Sequence, residues 1–428
     1  MRVWLCAVVL LALAGCACEP GGAPGARRER AALQAVLERQ AVAVLGHGGE
    51  RRFLSAVDPR AVRFRAAQRR VFRNLRRLPL AHWSYRVADV RGGGPSGGEA
   101  SASGPRRAEA TVRLRYRLRG QDRAAVAVTE RYAVVRRSGR WYLSGELRGG
   151  EPQLWEQGTL AVVRGRRSLV LGTVSGAAGA RAGEERARLR ALARAADRAV
   201  AETARLWPHG WPRRVVVERP YGQRQLARLL GEPESTYSDI AAVTTGEGGR
   251  EVRAAADRIV LNPSAYGELS GAGRHVVLTH ETVHVATRTL TGPATPLWLS
   301  EGVADWAGYR HAARSLRAPR RAAPELASAV RHKRLPHSLP ADRDFRFGNR
   351  ADALARAYEG GWLACRFVAD RWGEGKLLAL YRAVGESEAG SGEGAEDAAV
   401  DHAMRAELGL DRGEFTARWR AYVRRTLS

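Results

Sequence analysis

The chain has 428 residues, 45% hydrophobic and 27% charged, which is enough for two or three packed domains and excludes a disordered or fibrous chain. Formal net charge is +27, yet only Lys333 and Lys376 among the 71 basic residues are lysines. An arginine bias of that kind, alongside abundant Ala and Gly, fits GC-rich coding better than a surface shaped for polyanions, so high pI alone assigns no nucleic-acid partner.

The first stretch, "MRVWLCAVVLLALAGC", has one basic residue, Arg2, followed by an apolar run from Val3 to Ala14. That run is too short to span a bilayer and long enough for a signal-peptide core. It ends in Leu13-Ala14-Gly15-Cys16, which resembles the bacterial lipobox. The resemblance implies a signal peptide over residues 1–15, lipid on the Cys16 thiol, a tether over 16–29, and anchorage to the cell membrane outside the cytoplasm. An ordinary signal peptide cut elsewhere is the other reading. With Cys6 removed and Cys16 lipidated, Cys18 and Cys365 offer neither a disulfide framework nor a Cys-type zinc site.

Between Glu19 and Gly150 there are 28 Arg and 11 acidic residues. Such a surplus can attract an anionic envelope polymer or lipid, although solvated charge is the usual fate of such runs. "AALQAVLERQAVAVL" has helical periodicity with Leu33, Val36, Leu37 and Val44 on one face, and Arg65 to Leu78 predicts a second, very basic helix. In "TVRLRYRLR", Val112, Leu114, Tyr116 and Leu118 alternate with Arg113, Arg115, Arg117 and Arg119, predicting a strand with one apolar face and one row of guanidiniums. "AAVAVTERYAVV" and "RWYLSGE" continue an antiparallel sheet through an "RSGR" turn. Helices followed by such a sheet resemble the NTF2-like or cystatin-like α+β group, here over about residues 30–150.

"RGGGPSGGEASASG" (91–104) is an insertion between strands, and a domain boundary is expected near 147–153. Beyond it, "RRSLVLGTV", "RRVVVERP", "SDIAAVTTG" and "DRIVLNP" predict strands. "EERARLRALARAADRAVAETARLW" and "GQRQLARLLG" predict helices. "GESEAGSGEGAED" (385–397) reads as an acidic loop, and "DHAMRAELGLDRGEFTARWRAYVRR" (401–425) as amphipathic helices whose Trp419 and Tyr422 are core.

The chemistry is concentrated in "HVVLTHETVHVATR". One turn of helix separates His280 from His284, so both imidazoles can converge on one point inside an apolar helix. Buried imidazoles need a shared partner, and Zn²⁺ accepts both His nitrogen and carboxylate oxygen. Random placement of 10 His and 44 acidic residues gives roughly 0.02 such pentapeptides. Two core histidines satisfied by backbone carbonyls are the alternative. With sixteen residues between His284 and Glu301, "TPLWLSEGVADWAGY" carries Glu301 and Asp305 four apart, with Thr295 as expected N-cap and Pro296 as first helical residue. Among Trp298, Leu299, Val303 and Trp306 these acids need cations or donors. Glu301 as third zinc ligand and Asp305 as acceptor from a ligating histidine meet that need.

HETVH followed by "WLSEGVADW" resembles the gluzincin branch of zinc metallopeptidases, in particular the peptidase MA-like domains. The resemblance covers roughly 160–425 and implies a zincin-like peptidase domain over 155–428. It implies Zn²⁺ held by His280, His284 and Glu301, Asp305 behind them, and Glu281 as general base toward a metal-activated water. "ARAYEGGWLACRFVADRWG" resembles the helix start that carries the oxyanion-stabilising tyrosine of zinc aminopeptidases, which would give Tyr358 that role. Leu354, Tyr358, Trp362 and Cys365 also form an ordinary core stripe. His311, His332 and His337 are alternative donors on a long irregular stretch at the cleft. No Gly-x-Met-Glu-Asn element is present to hold a substrate's free amino terminus, which favours an endopeptidase acting on a peptide or protein substrate. "SDIAAVTTG" and "DRIVLN" are candidates for the sheet edge that pairs with that substrate.

The expected protein is therefore α+β, with a smaller N-terminal accessory domain ahead of the peptidase domain. A non-catalytic envelope-binding lipoprotein that uses its Arg-rich N-terminal domain is the alternative. "RGGGPSGG" lacks the lysine and strand–helix context of a phosphate loop, and no nucleic-acid partner is expected.

Overall fold

The computed structural model describes residues 24–46, 48–92, 106–176, 179–237, 240–245, 256–312, 318–346, 349–387 and 393–428. The expected signal peptide, Cys16 and insertion residues 93–104 lie outside them. Among the described residues no helix is long and apolar enough to cross a membrane.

Helices α1 (Pro24–Val44), α2 (Gly49–Leu54) and α3 (Val62–Leu75) precede an antiparallel sheet of β1 (Leu80–Gly92), β2 (Arg106–Leu118), β3 (Val126–Arg137) and β4 (Arg140–Glu146), adjacent in that order. Helix α1 starts before residue 30 and so includes the end of the expected tether. Along β2, Val112, Leu114, Tyr116 and Leu118 are buried and Arg113, Arg115 and Arg117 exposed. The buried row joins Leu33, Val36 and Leu37 of α1 and Val71, Phe72 and Leu75 of α3 in one core. Ser138 and Gly139 both take positive φ (45° and 78°), the backbone that a two-residue turn between twisted strands requires. Strand β1 pairs Trp83 with Tyr116 and Tyr85 with Leu114, but register shifts near Leu80/His82 and Val87/Asp89 interrupt its alternation.

The second sheet has the order β5 (Thr159–Arg164), β6 (Ser168–Val174), β7 (Val215–Arg219), β9 (Ile259–Leu261) and β8 (Ala242–Thr244). Its three central strands are parallel and both edges antiparallel. Helix α4 (Ala180–Leu206) crosses over between β6 and β7, and α5 (Gln223–Leu230) follows β7. All of β6 is buried, which explains its unbroken apolar run: Val170 and Val174 pack with Leu189 and Leu192 of α4, while Leu169 and Leu171 face the N-terminal core. A Cβ on Gly172 would lie 2.5 Å from Leu189 Cδ2, so α4 lies this close to β6 only over glycine.

The two sheets are thus joined through packed and polar groups. Asn74 of α3 donates to the carbonyls of Trp155 (2.8 Å) and Gly158 (2.7 Å) and accepts from Leu160 N–H (3.0 Å). Arg258, at the start of β9, forms a buried pair with Asp122 from the β2–β3 turn (2.8 Å) and lies over the Tyr116 ring. The segment 147–153 does not run free: Leu147 N–H and Glu151 N–H donate to the carbonyls of Arg131 and Thr129 on β3.

Helices complete the chain: α6 (Ala265–Glu268), α7 (Gly271–Thr287), α8 (Leu297–Arg310), α9 (Pro319–Ala322), α10 (Pro324–Arg331), α11 (Ala351–Trp372), α12 (Glu374–Gly385), α13 (Glu393–Leu408) and α14 (Arg412–Leu427). Two corrections follow. The stretch expected to be irregular contains α10, and residues 393–397 of the acidic segment expected to be a loop begin α13, while residues 388–392 lie outside the described residues. The result is a mixed α+β protein with two sheets among its described residues.

Candidate metal centre

Helix α7 begins at Ser270, whose hydroxyl accepts from Gly273 N–H (3.1 Å), and Leu278, Val283 and Ala286 pack into the core. Helix α8 begins one residue later than its sequence suggests. Pro296 is the cap, Leu297 is the first helical residue, and Thr295 instead accepts from Gly292 N–H. The open end of α8 is capped from a distance, with Leu297 N–H donating to Asp342 Oδ1 (2.8 Å). Glycines set how closely the helices pack. A Cβ on Gly308 would lie 2.9 Å from the Val276 carbonyl of α7, and one on Gly302 2.4 Å from the Gly361 carbonyl of α11. The backbones of α7, α8 and α11 therefore meet around the polar side chains.

Those side chains form a tight triangle. His280 Nε2 lies 3.0 Å from His284 Nε2 and 3.3 Å from Glu301 Oε2, and His284 Nε2 lies 3.5 Å from the same oxygen. A tetrahedral zinc with bonds near 2.0–2.1 Å needs ligand atoms about 3.3–3.4 Å apart, and the three separations straddle that value. His284, Glu281 and Glu301 are buried, at 5%, 5% and 7% exposure, where ionic groups need partners. The donor set, two imidazole nitrogens and one carboxylate oxygen on facing helices, fits Zn²⁺ with a fourth position left open.

Asp305 Oδ1 accepts from the far ring nitrogen of His280, Nδ1, at 2.8 Å, which orients Nε2 toward the triangle. Burial works against the charged His280 ring, but Asp305, with Glu301 and Glu281 beyond it, holds its pKa well above the ordinary imidazole value. Burial likewise raises the Glu301 carboxyl, and both histidines outweigh it and hold that group well below the carboxylate range. Each group thus favours its charged form because the other lies beside it.

Glu281 turns toward the sheet. Its Oε2 accepts from the Thr244 hydroxyl at 2.6 Å, and Thr244 is the last residue of the edge strand β8. A cavity of about 620 Å³ runs from β8 across the triangle to α11, lined by Val243, His280, Glu281, Glu301 and Tyr358 among others. Of the two candidate strands, β8 is the edge and β9 the paired neighbour. The Tyr358 stripe divides: Cys365 is core, while Leu354, Tyr358 and the largely buried Trp362 line the cavity, with Tyr358 edge-on to Phe345.

The alternative histidines are elsewhere. His311 lies against Arg310, His332 against the Ser328 carbonyl, and His337 in a neighbouring cleft; none lines the cavity. Two residues not singled out in the sequence do line it. Tyr309 follows Glu301 and Asp305 at the next four-residue step of α8, and burial, with Asp305 and Glu359, pushes its phenol up to about 12. Continuing the helical period would have found it. Glu359 accepts from Glu325 N–H (3.2 Å) and Leu326 N–H (2.6 Å), and burial raises its carboxyl to about 7. A scan of the chain against protein-family models finds no match, and a search of curated proteins finds none either.

Proposed function

We propose that the chain is a zinc metallopeptidase of the gluzincin type, acting as an endopeptidase on polypeptides. In this reading residues 155–428 are a zincin-like domain, residues 30–150 an NTF2-like or cystatin-like accessory domain, and Cys16 carries a lipid that anchors the protein to the membrane outside the cytoplasm. The observation that carries it is the triangle of His280 Nε2, His284 Nε2 and Glu301 Oε2, with Asp305 behind one imidazole.

His280, His284 and Glu301 would hold Zn²⁺, which supplies Lewis acidity that brings the pKa of water toward neutrality. Glu281 takes the proton from the attacking water and passes it to the leaving amine. Thr244 holds the Glu281 carboxylate toward the cavity floor. The edge of β8 offers backbone groups for an extended substrate, so the peptide crosses the triangle antiparallel or parallel to one strand. Tyr358 and Tyr309 present phenols to the same cavity, where a donor can stabilise charge developing on the carbonyl oxygen.

Metal analysis of the purified protein beside its His280→Ala variant tests the site, and Glu281→Gln tests the chemistry. Stoichiometric zinc lost in the first, with zinc kept and proteolysis lost in the second, is the expected pair of results. Equal zinc in wild type and His280→Ala, or undiminished cleavage by Glu281→Gln, overturns the reading.

A non-catalytic binding lipoprotein is the second reading, favoured by the exposed Arg113, Arg115 and Arg117 on one face of β2. It predicts salt-sensitive binding of anionic polymers or lipids and no proteolysis.

A further inference from the structure

Beside the metal-centre cavity lies a larger cleft of about 1320 Å³. Helix α11 separates the two. Leu354 and Tyr358 line the first, Arg356 and Gly360 line the second, and Asn349, just before the helix, lines both. A chain leaving the cavity over the start of α11 therefore enters the cleft.

The charge of this cleft is one-sided. Seven Lys or Arg side chains and three carboxylates line it, against 71 and 44 in the whole chain. Arg350 and Arg356 share a single carboxylate, Asp352 (3.1 and 2.9 Å). Lys333, Arg334 and Arg346 are exposed, and with Arg420 they make no ion pair among the described residues. Asp344 is occupied with capping, accepting from Ala341 N–H (2.9 Å). Guanidinium forks grouped in a concave wall suit carboxylates, which they can grip through two parallel hydrogen bonds. The volume exceeds the roughly 300–1,000 Å³ of small-molecule pockets and suits several residues of a polypeptide.

We propose that this cleft is a specificity subsite for acidic polypeptide, holding a run of Glu or Asp a few residues from the bond presented to the metal centre. The proposal rests on the peptidase reading for what happens next door, and on the cleft alone for what is bound.

The test uses the zinc-loaded full chain and two labelled peptides that share a core and differ only in a flanking run of glutamates or of glutamines. Binding is read by fluorescence anisotropy on the Glu281→Gln protein, and cleavage by mass spectrometry on the wild type. The glutamate peptide should bind about tenfold more tightly at low salt and lose that advantage as salt rises. Arg334→Glu with Arg346→Glu should bring the ratio of the two peptides close to one, with zinc content and melting temperature as controls on folding. Equal binding of the two peptides by the Glu281→Gln protein overturns the proposal. So does binding to phosphatidylglycerol vesicles that depends on Arg334 and Arg346 without any peptide preference. Acidic preference in binding with cleavage of neither peptide supports the subsite and sinks the peptidase reading instead.

Discussion

The Thr244 hydroxyl donates to Glu281 Oε2 at 2.6 Å and so ties the edge strand of the second sheet to the helix that carries both histidines. Thr244 is fully buried, so that contact is not exchanged for water. A hydrogen bond to a charged group is worth about 1.5–3 kcal/mol. In the proposed peptidase, Thr244→Val should therefore lower kcat about tenfold or more while leaving zinc content unchanged, and Thr244→Ser should restore most of the loss. Parallel kinetics and metal analysis check this; a drop in zinc content in the valine variant would make the contact structural instead.

Asp305 lies 2.8 Å from His280 Nδ1, and in the proposed zinc site it would act through that ring. Asp305→Asn should weaken zinc affinity about 10- to 100-fold, the usual cost of losing a carboxylate behind a metal-bound histidine. Competition with a chromophoric chelator measures this directly. Unchanged affinity would remove Asp305 from the centre.

Arg258 and Asp122 are buried together, their side chains 8% and 0% exposed, with Glu218 3.9 Å from the same guanidinium. Removing one partner strands a buried charge, so Arg258→Ala should destabilise by about 3–5 kcal/mol in denaturant titration. Because the pair joins the β2–β3 turn to β9, unfolding of the two sheets should also become less cooperative, seen as probe-dependent transitions.

Glu130 lies buried beside Tyr132 (2.8 Å), and burial pushes its carboxyl up to about 7, with Glu146 adding to the effect. A carboxyl raised in the fold above its unfolded value binds its proton more tightly when folded. Its contribution is complete below pH 4.5 and is lost as pH climbs through about 7. Glu130→Gln, which cannot ionise, should gain melting temperature relative to wild type between those limits, by the equivalent of roughly 3 kcal/mol. A wild-type-minus-variant difference that is flat across that range would show that the carboxyl does not titrate there.

Much of the candidate centre was legible because it is local. The four-residue spacing of His280 and His284, and of Glu301 and Asp305, puts each pair on one helix face through helical geometry alone. The short "RTLTGPATP" turn then keeps the two helices neighbours. The strong alternation of β2 was equally plain, since side-chain direction in a strand needs no partner to define it. β1 was harder to see because register shifts break its period, and β5 because its four-residue apolar run, Leu160 to Val163, has no period of its own. The cap of α8 was misassigned because Asp342, far along the chain, displaces the expected local cap.

Sequence by itself determined the composition of the site, two imidazoles and two carboxylates at helical spacing, because those relations lie within single helices or across one short turn. Tertiary structure alone decided which strand is the sheet edge, that Thr244 meets Glu281 across 37 residues, and that Asp122 pairs with Arg258 across 136. It also decided that the Tyr358 stripe would split between core and cavity. Each of these depends on which surfaces pack against each other. Packing is settled by the joint burial of segments distant in the chain, and neither residue spacing nor local propensity encodes it.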